Sequence, residues 1–280
     1  RSAYYAVVSL GEGGFGAVWA GVTNAGVPIA IKLIKPTSDP VRDFVNWFNE
    51  QDIFLKCLNH PHIVTTYDQF PCEDGSLVIV MERAEGSLQE FLKWNGPVHP
   101  IQVCSVGIQL CSALEHIHQL GVIHRDITPR NILWFADDRF KLSDFGISKQ
   151  TVPPEEFAKT FIGFKNAIPP ELLYAGYSST QSDIYQLGLV LLAMLTGSEP
   201  IPLGASLDDT QRMILKGVPR QIAEGLVPQF GGVAEIISVM LRRRDVWRYA
   251  NVADVRQELQ VQFNRRHAAK KFRDWLVRRQ

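Results

Sequence analysis

Apolar residues recur at two different periods along this chain, and the change falls near residue 86. Between residues 4 and 34, Val, Ile and aromatic side chains are interrupted by Gly11, Gly13, Gly14, Gly16, Gly21 and Gly26. That pattern predicts three antiparallel strands joined by tight turns. Asp39 then offers a helix N-cap with Pro40 at the first helical position, and Val41, Phe44, Val45, Phe48 and Leu55 recur on one helical face. Residues 63–70 and 76–83 read as two further strands, which completes a small five-stranded lobe. Past Gly86 the spacing becomes helical: Leu88, Phe91 and Leu92 first, then Val103, Ile108, Leu110, Leu114 and Ile117 within residues 100–118. Helices also fit residues 180–196, 208–216, 233–242 and 252–263. The expected class is α+β with two lobes, residues 1–83 and 86–255, followed by a helical extension over 256–280.

Composition narrows this only a little. With 280 residues and 46% hydrophobic content the chain can bury a full core. Lys and Arg number 29, as do Asp and Glu, so no general attraction to nucleic acid or membrane is expected. The charge is uneven, however. Residues 256–280 carry eight Lys or Arg against two acids, which makes the extension basic. In it Ala268, Phe272, Trp275 and Leu276 would share one helical face, the mark of a terminal helix docked on the second lobe. Membrane or partner contact through the basic side is the less favoured reading.

The four cysteines, Cys57, Cys72, Cys104 and Cys111, show no paired short spacing, so free thiols are expected rather than a zinc knuckle or a disulfide framework. The most apolar stretch, residues 184–194, is too short to span a bilayer, and no signal peptide opens the sequence. A cytoplasmic protein is the expectation. Because the sequence begins at Arg1, further protein beyond it, a membrane anchor included, stays open.

The chemistry gathers in two short stretches. In His124-Arg125-Asp126-Ile127-Thr128-Pro129-Arg130-Asn131, Asp126 and Asn131 sit in a loop after an apolar helical run; Asp144-Phe145-Gly146 opens a turn after a short strand. A loop aspartate can be a mere turn former. Here the spacing allows one carboxylate to orient a hydroxyl while Asn131 and Asp144 hold a divalent cation, which suits phosphoryl transfer. Gly11-Glu12-Gly13-Gly14-Phe15-Gly16 has the form G-x-G-x-x-G. Alone it reads as a glycine hairpin, and because it joins two strands it argues against a dinucleotide fold.

The two stretches, in this order and followed by Pro169-Pro170-Glu171, resemble the catalytic core of eukaryotic-type protein kinases. The resemblance covers about residues 4–255. It implies a bilobal fold and transfer of the ATP γ-phosphoryl group to a protein hydroxyl, with Asp126 as the catalytic aspartate and Mg²⁺ or Mn²⁺ held by Asn131 and Asp144. Leu10, Gly11, Gly13 and Gly16 would form the loop over the phosphates. Lys32, in Ile29-Ala30-Ile31-Lys32, would hold the α and β phosphates. Val18, Ala30 and Leu133 would enclose the adenine, and Met81, Glu82 and Ala84 would form the hinge that meets the base edge. Glu171 would pair with Arg248, and Asp183 would support the catalytic loop. The alternative is a pseudokinase, a nucleotide-binding or scaffolding module.

Three positions depart from the family pattern. Thr128 stands where serine/threonine kinases usually carry lysine, and Phe164 where a threonine is expected. Arg130 would then supply the missing charge as a catalytic residue, or only brace the loop. Counting back from Asn59-His60-Pro61 puts Gln51 opposite Lys32, with Glu50 one residue and about 100° away on the helix; either faces the lysine. Thr160 is the candidate self-phosphorylation site, with Arg125 as its counter-charge. Asp144-Phe145-Gly146-Ile147-Ser148-Lys149 looks more like the serine/threonine branch than the tyrosine branch.

Overall fold

A computed structural model describes residues 3–13, 16–36, 60–144, 167–202 and 205–277, with side chains through Ala268. Five strands, β1 (Tyr4–Gly13), β2 (Gly16–Thr23), β3 (Pro28–Ile34), β4 (Thr66–Pro71) and β5 (Leu77–Glu82), form one antiparallel sheet in the order β1-β2-β3-β5-β4. The expected five-stranded lobe is therefore present. Gly13 pairs with Gly16 where β1 turns into β2. Gly16 has φ 150, and a Cβ there would stand 1.8 Å from the Leu33 carbonyl oxygen, so no other residue fits.

A second, smaller sheet begins the other lobe: β6 (Gly86–Ser87), β7 (Ile132–Phe135) and β8 (Arg139–Leu142), in that order. It explains one departure from the sequence reading. Pairing of β4 starts at Thr66, not at residue 63, because the preceding segment runs beside β8. The Val64 N–H donates to the Leu142 carbonyl at 2.9 Å, and the Leu142 N–H donates to the His62 carbonyl at 2.9 Å. Ile63 and Val64 are buried there. An apolar run looks the same whether it is covered by its own sheet or by another lobe.

The helices follow: α1 (Leu88–Asn95), α2 (Pro100–Gln119), α3 (Pro170–Ala175), α4 (Thr180–Thr196), α5 (Leu207–Lys216), α6 (Val218–Gly225), α7 (Val227–Phe230), α8 (Gly232–Met240) and α9 (Val252–Val277). Ser87 and Glu90 form a capping box at the start of α1. α4 is buried from Ser182 to Leu195. A helix apolar on every side is enclosed by protein, and α4 is the axis of this lobe. α2 lies against α9 at Gly107, where a Cβ would lie 2.7 Å from Leu259 Cδ1. The short helices α6 and α7 had no counterpart in the sequence reading. Pro219 and Pro228 lie in their first turns, where the missing N–H would have had no helical partner anyway.

Helix α9 runs through residue 255 without a break. Val255 and Leu259 are buried, Phe263 packs on the core, and Arg256 pairs with Glu115 at 2.8 Å. This part of the extension is docked; the side chains of Phe272, Trp275 and Leu276 lie outside the described residues. Among the described residues no helix is long and apolar enough to cross a membrane.

Candidate active site

The loop 124–131 takes its shape from α4. The Asp183 carboxylate accepts the His124 N–H at 2.9 Å, the Arg125 N–H at 2.8 Å and the His118 Nε2 hydrogen at 2.8 Å. Three residues further along the same helical face, Gln186 accepts the Ile127 N–H at 3.1 Å and donates to the Arg125 carbonyl at 2.9 Å. Two N–H groups in succession can reach one carboxylate because Arg125 adopts φ 69. His124 is fully buried; its Nε2 donates to the Ser143 carbonyl at 3.0 Å and its Nδ1 accepts from the Asp126 N–H at 3.3 Å. That arrangement needs the neutral ring, and burial lowers its pKa accordingly. Its role is to join the loop to the residue before Asp144.

Asp126 and Asn131 meet directly. Asn131 Nδ2 donates to Asp126 Oδ2 at 2.5 Å and to the Asp126 carbonyl at 3.0 Å, while Ser143 ties the Asn131 carbonyl to the strand end. Asp126 is 4% exposed, and burial pushes its pKa up to about 7; Asn131 opposes the shift, Asp144 adds to it, and Lys32 and Arg130 oppose it. Its Oδ1 is buried and has no hydrogen-bond partner among the described residues. Asp144, at φ 63, forms an ion pair with Lys32 of β3. Asp126–Asn131 and Lys32–Asp144 are thus two bonded pairs within electrostatic reach of each other. Arg130 is exposed, within electrostatic reach of Asp126 and of Glu199, whose pKa is raised by burial. Thr128 Oγ1 is buried without a partner among the described residues.

Strand register brings the other residues to one face. Val18 lies opposite Lys32 and Ala30 opposite Met81, while Ala30 and Lys32 are two apart on β3. Opposite and i, i+2 residues of a sheet share a side, so Val18, Ala30, Lys32 and Met81 point the same way. Gly11 pairs with Val18, and Leu10, beside it in a β-bulge, is half exposed. Leu133, on β7, pairs with Lys141 and Ser87. Glu82 ends β5, and Ala84 follows in the connection to β6.

Asn131 and Asp144 offer the hard oxygen donors that Mg²⁺ prefers, and with Nδ2 held by Asp126 the Asn131 Oδ1 is the atom free to serve. Among the described residues no group of three or more His, Cys, Asp or Glu could hold a metal ion. A cation here would complete its shell with phosphate and water, which is how Mg²⁺ usually binds. Gly14, Gln51, Glu50, Phe145, Gly146, Thr160 and Phe164 lie outside the described residues. Glu171 and Arg248 meet as expected: the guanidinium donates to both carboxylate oxygens at 2.8 and 2.7 Å, with both side chains fully buried.

Sequence reasoning missed two contributors. Gln186 is a polar residue inside a helix buried from Ser182 to Leu195, three positions after Asp183, and that was its signal. Lys141 is a lysine on an inward position of β8 between Phe140 and Leu142. Its ammonium donates to both oxygens of Glu82 at 2.6 and 2.8 Å.

Residues 4–249 match the family model described as protein kinase domain. The chain is 36% identical over 208 residues to testis-specific serine/threonine-protein kinase 1 of Mus musculus, covering 71% of this chain and 57% of that protein. It is 38% identical over 214 residues to serine/threonine-protein kinase cds1 of Schizosaccharomyces pombe, covering 71% and 46% respectively. Against serine/threonine-protein kinase PrkC of Bacillus subtilis the identity is 36% over 177 residues, 61% of this chain and 27% of the other. The chain thus spans between about a quarter and three fifths of these relatives. With the antiparallel sheet, the helical lobe and the loop between them already in place, the match over residues 4–249 makes this chain a member of the protein kinase domain family.

Proposed function

We propose that this chain transfers the γ-phosphoryl group of ATP, with Mg²⁺ or Mn²⁺, to serine or threonine hydroxyls of protein substrates. One observation carries the reading: Asp126, buried and held near neutrality, is bonded to Asn131 and sits within electrostatic reach of the Lys32–Asp144 pair. The pairs Asp126–Asn131 and Lys32–Asp144 support a transfer site, and nothing favours the scaffold-only alternative. Bound Mg-ATP supplies the transferable group and the metal charge that offsets its oxygens.

The chain's own residues do the rest. Asn131 fixes Asp126 Oδ2, which leaves Oδ1 to take the proton from the substrate hydroxyl as that oxygen bonds to the γ-phosphorus and the bond from phosphorus to the β–γ bridging oxygen breaks, releasing ADP. A pKa of about 7 lets the carboxylate accept that proton and release it again near neutral pH. Lys32 would hold phosphate and Asp144 the cation, and the sheet face of Val18, Ala30 and Met81 would cover the base together with Leu10 and Leu133. Met81, Glu82 and Ala84 present the backbone to the base edge, and Gly11, Gly13 and Gly16 let the backbone approach the phosphates. Arg130 compensates the lysine that Thr128 replaces, Thr160 receives phosphate in self-phosphorylation, and the domain works in the cytoplasm.

Incubation with labelled ATP, Mg²⁺ or Mn²⁺ and generic acceptor proteins, followed by phosphoamino-acid analysis, tests the reading. Phosphoserine or phosphothreonine is expected, reduced to background by Asp126→Asn with the circular dichroism spectrum unchanged. Equal background transfer by both proteins sinks the enzyme reading. Phosphotyrosine alone sinks the hydroxyl assignment.

A further inference from the structure

Among the described residues two ion pairs join the sheet lobe to the helical lobe, Lys32 with Asp144 and Glu82 with Lys141. Their settings differ. Both members of the first are partly exposed and are required elsewhere during the proposed reaction. In the second, the Lys141 side chain is 7% exposed and that of Glu82 17%. The Lys141 ammonium donates to both Glu82 oxygens and stands 4.9 Å over the Phe135 ring. Glu82 Oε1 also accepts the Thr65 N–H at 2.6 Å, while the Glu82 N–H donates to the Thr65 carbonyl at 2.9 Å. The carboxylate thus accepts three bonds, two at Oε1 and one at Oε2.

The position of the pair gives it a purpose. Glu82 is the last residue of β5, where the backbone leaves for the segment that meets the base. Lys141 is opposite Leu133 in register, and three residues later the same strand delivers Asp144. We propose that Glu82 and Lys141 are a positioning pair, a dry clamp between the lobes that fixes the span from the base-binding segment to the metal-binding carboxylate. An ion pair in water trades partners freely, whereas one removed from water and fully bonded keeps its geometry. The clamp therefore holds while Lys32 and Asp144 part, so that a base seated at residues 82–84 has its phosphates in reach of Asn131 and Asp144. The proposal rests on the nucleotide-binding reading above.

Three variants test it, each assayed at a temperature where it is folded. Lys141→Met keeps the aliphatic stem against Phe135 but strands the Glu82 carboxylate, so melting temperature and turnover both fall. The double variant Glu82→Gln/Lys141→Met removes both charges, and its new amide still accepts from Thr65, so stability returns. Turnover does not: kcat is expected about tenfold below wild type, with the Mg²⁺-dependent gain in affinity for a fluorescent ATP analogue reduced by a similar factor, since small misplacements are costly in transfer reactions. Affinity for the metal-free analogue stays within about threefold, because the base site itself is intact. Lys141→Arg, which still donates to both oxygens, retains wild-type turnover within about threefold.

A double variant with wild-type turnover and a wild-type Mg²⁺ effect overturns the clamp, since its contribution would then be stability alone. If wild type binds the analogue but transfers no more than Asp126→Asn, the transfer reading fails and the Mg²⁺ effect on affinity alone judges the pair. Wild type without affinity for the analogue overturns both.

Discussion

Glu171–Arg248 and Lys32–Asp144 are both carboxylate–cation pairs, and they occupy opposite extremes of environment. Glu171 and Arg248 are fully buried; besides its two bonds to Glu171, the guanidinium reaches the carbonyls of Gln181, Arg242 and Arg243 and lies 4.8 Å over the Tyr185 ring. Ser182 donates to the same carboxylate at 2.6 Å. Lys32 and Asp144, by contrast, have side chains 23% and 40% exposed. Solvent at the second pair keeps the strength of the attraction low and exchange fast. The dry pair can only be structural, and the wet one can change partners during a reaction.

Breaking the dry pair should have the largest effect. Arg248→Ala leaves Glu171 charged, buried and short of donors, a change that costs about 3–5 kcal/mol, out of a total stability of roughly 5–15 kcal/mol. Urea unfolding followed by tryptophan fluorescence measures it, and a loss below about 1 kcal/mol would mean that the pair contributes no more than a surface bridge. The wet pair should show the reverse. Asp144→Ala is expected to lower turnover by about 10²–10³ through loss of charge stabilisation, while unfolding free energy changes by less than about 1 kcal/mol. Comparable losses of activity and stability would erase the distinction.

Asp126 lies between the extremes, buried yet held by a neutral amide rather than a full counter-ion. Its folded pKa of about 7 lies above the ordinary 3.8. Between those values the folded chain keeps a proton that the unfolded chain has lost, so stability falls as pH rises through the window. Asp126→Asn removes the titrating group. The variant should match wild type near pH 4 and exceed it by on the order of 2 kcal/mol at pH 8. Urea titrations across that range check the sign, and a wild-type advantage that grows with pH would contradict it. Wild-type turnover should rise with pH through about 7, as the ionised carboxylate is the form that takes the proton.

Much of this architecture was legible in the sequence because it rests on local chemistry. Glycines at 11, 13 and 16 between two strand patterns read as a glycine turn, alternation around Ala30 and Lys32 sets a strand face, and Pro100 after His99 starts a helix. Arg248 could be named as the partner of Glu171 because the family resemblance supplied the pairing. What escaped depends on contacts between distant segments. Residues 63–65 looked like strand because burial by the other lobe leaves the same apolar signature. The Glu82–Lys141 bond spans 59 positions, and no periodicity encodes it. Pro219 and Pro228 conceal two helices because a proline that opens a helix is spelled the same as one that ends it.

The bonds from Asp183 and Gln186 to loop 124–131 also bear on the order in which the molecule is made. His124 and Ile127 find their partners 59 residues later in the chain. As the nascent polypeptide leaves the ribosome, Lys32, Asp126, Asn131 and Asp144 have all been synthesised before the helix that shapes their loop. A chain arrested before Asp183 holds every one of those side chains but lacks the carboxylate that accepts the His124 and Arg125 N–H groups. The groups that shape loop 124–131 therefore become available only after much of the helical lobe has been made.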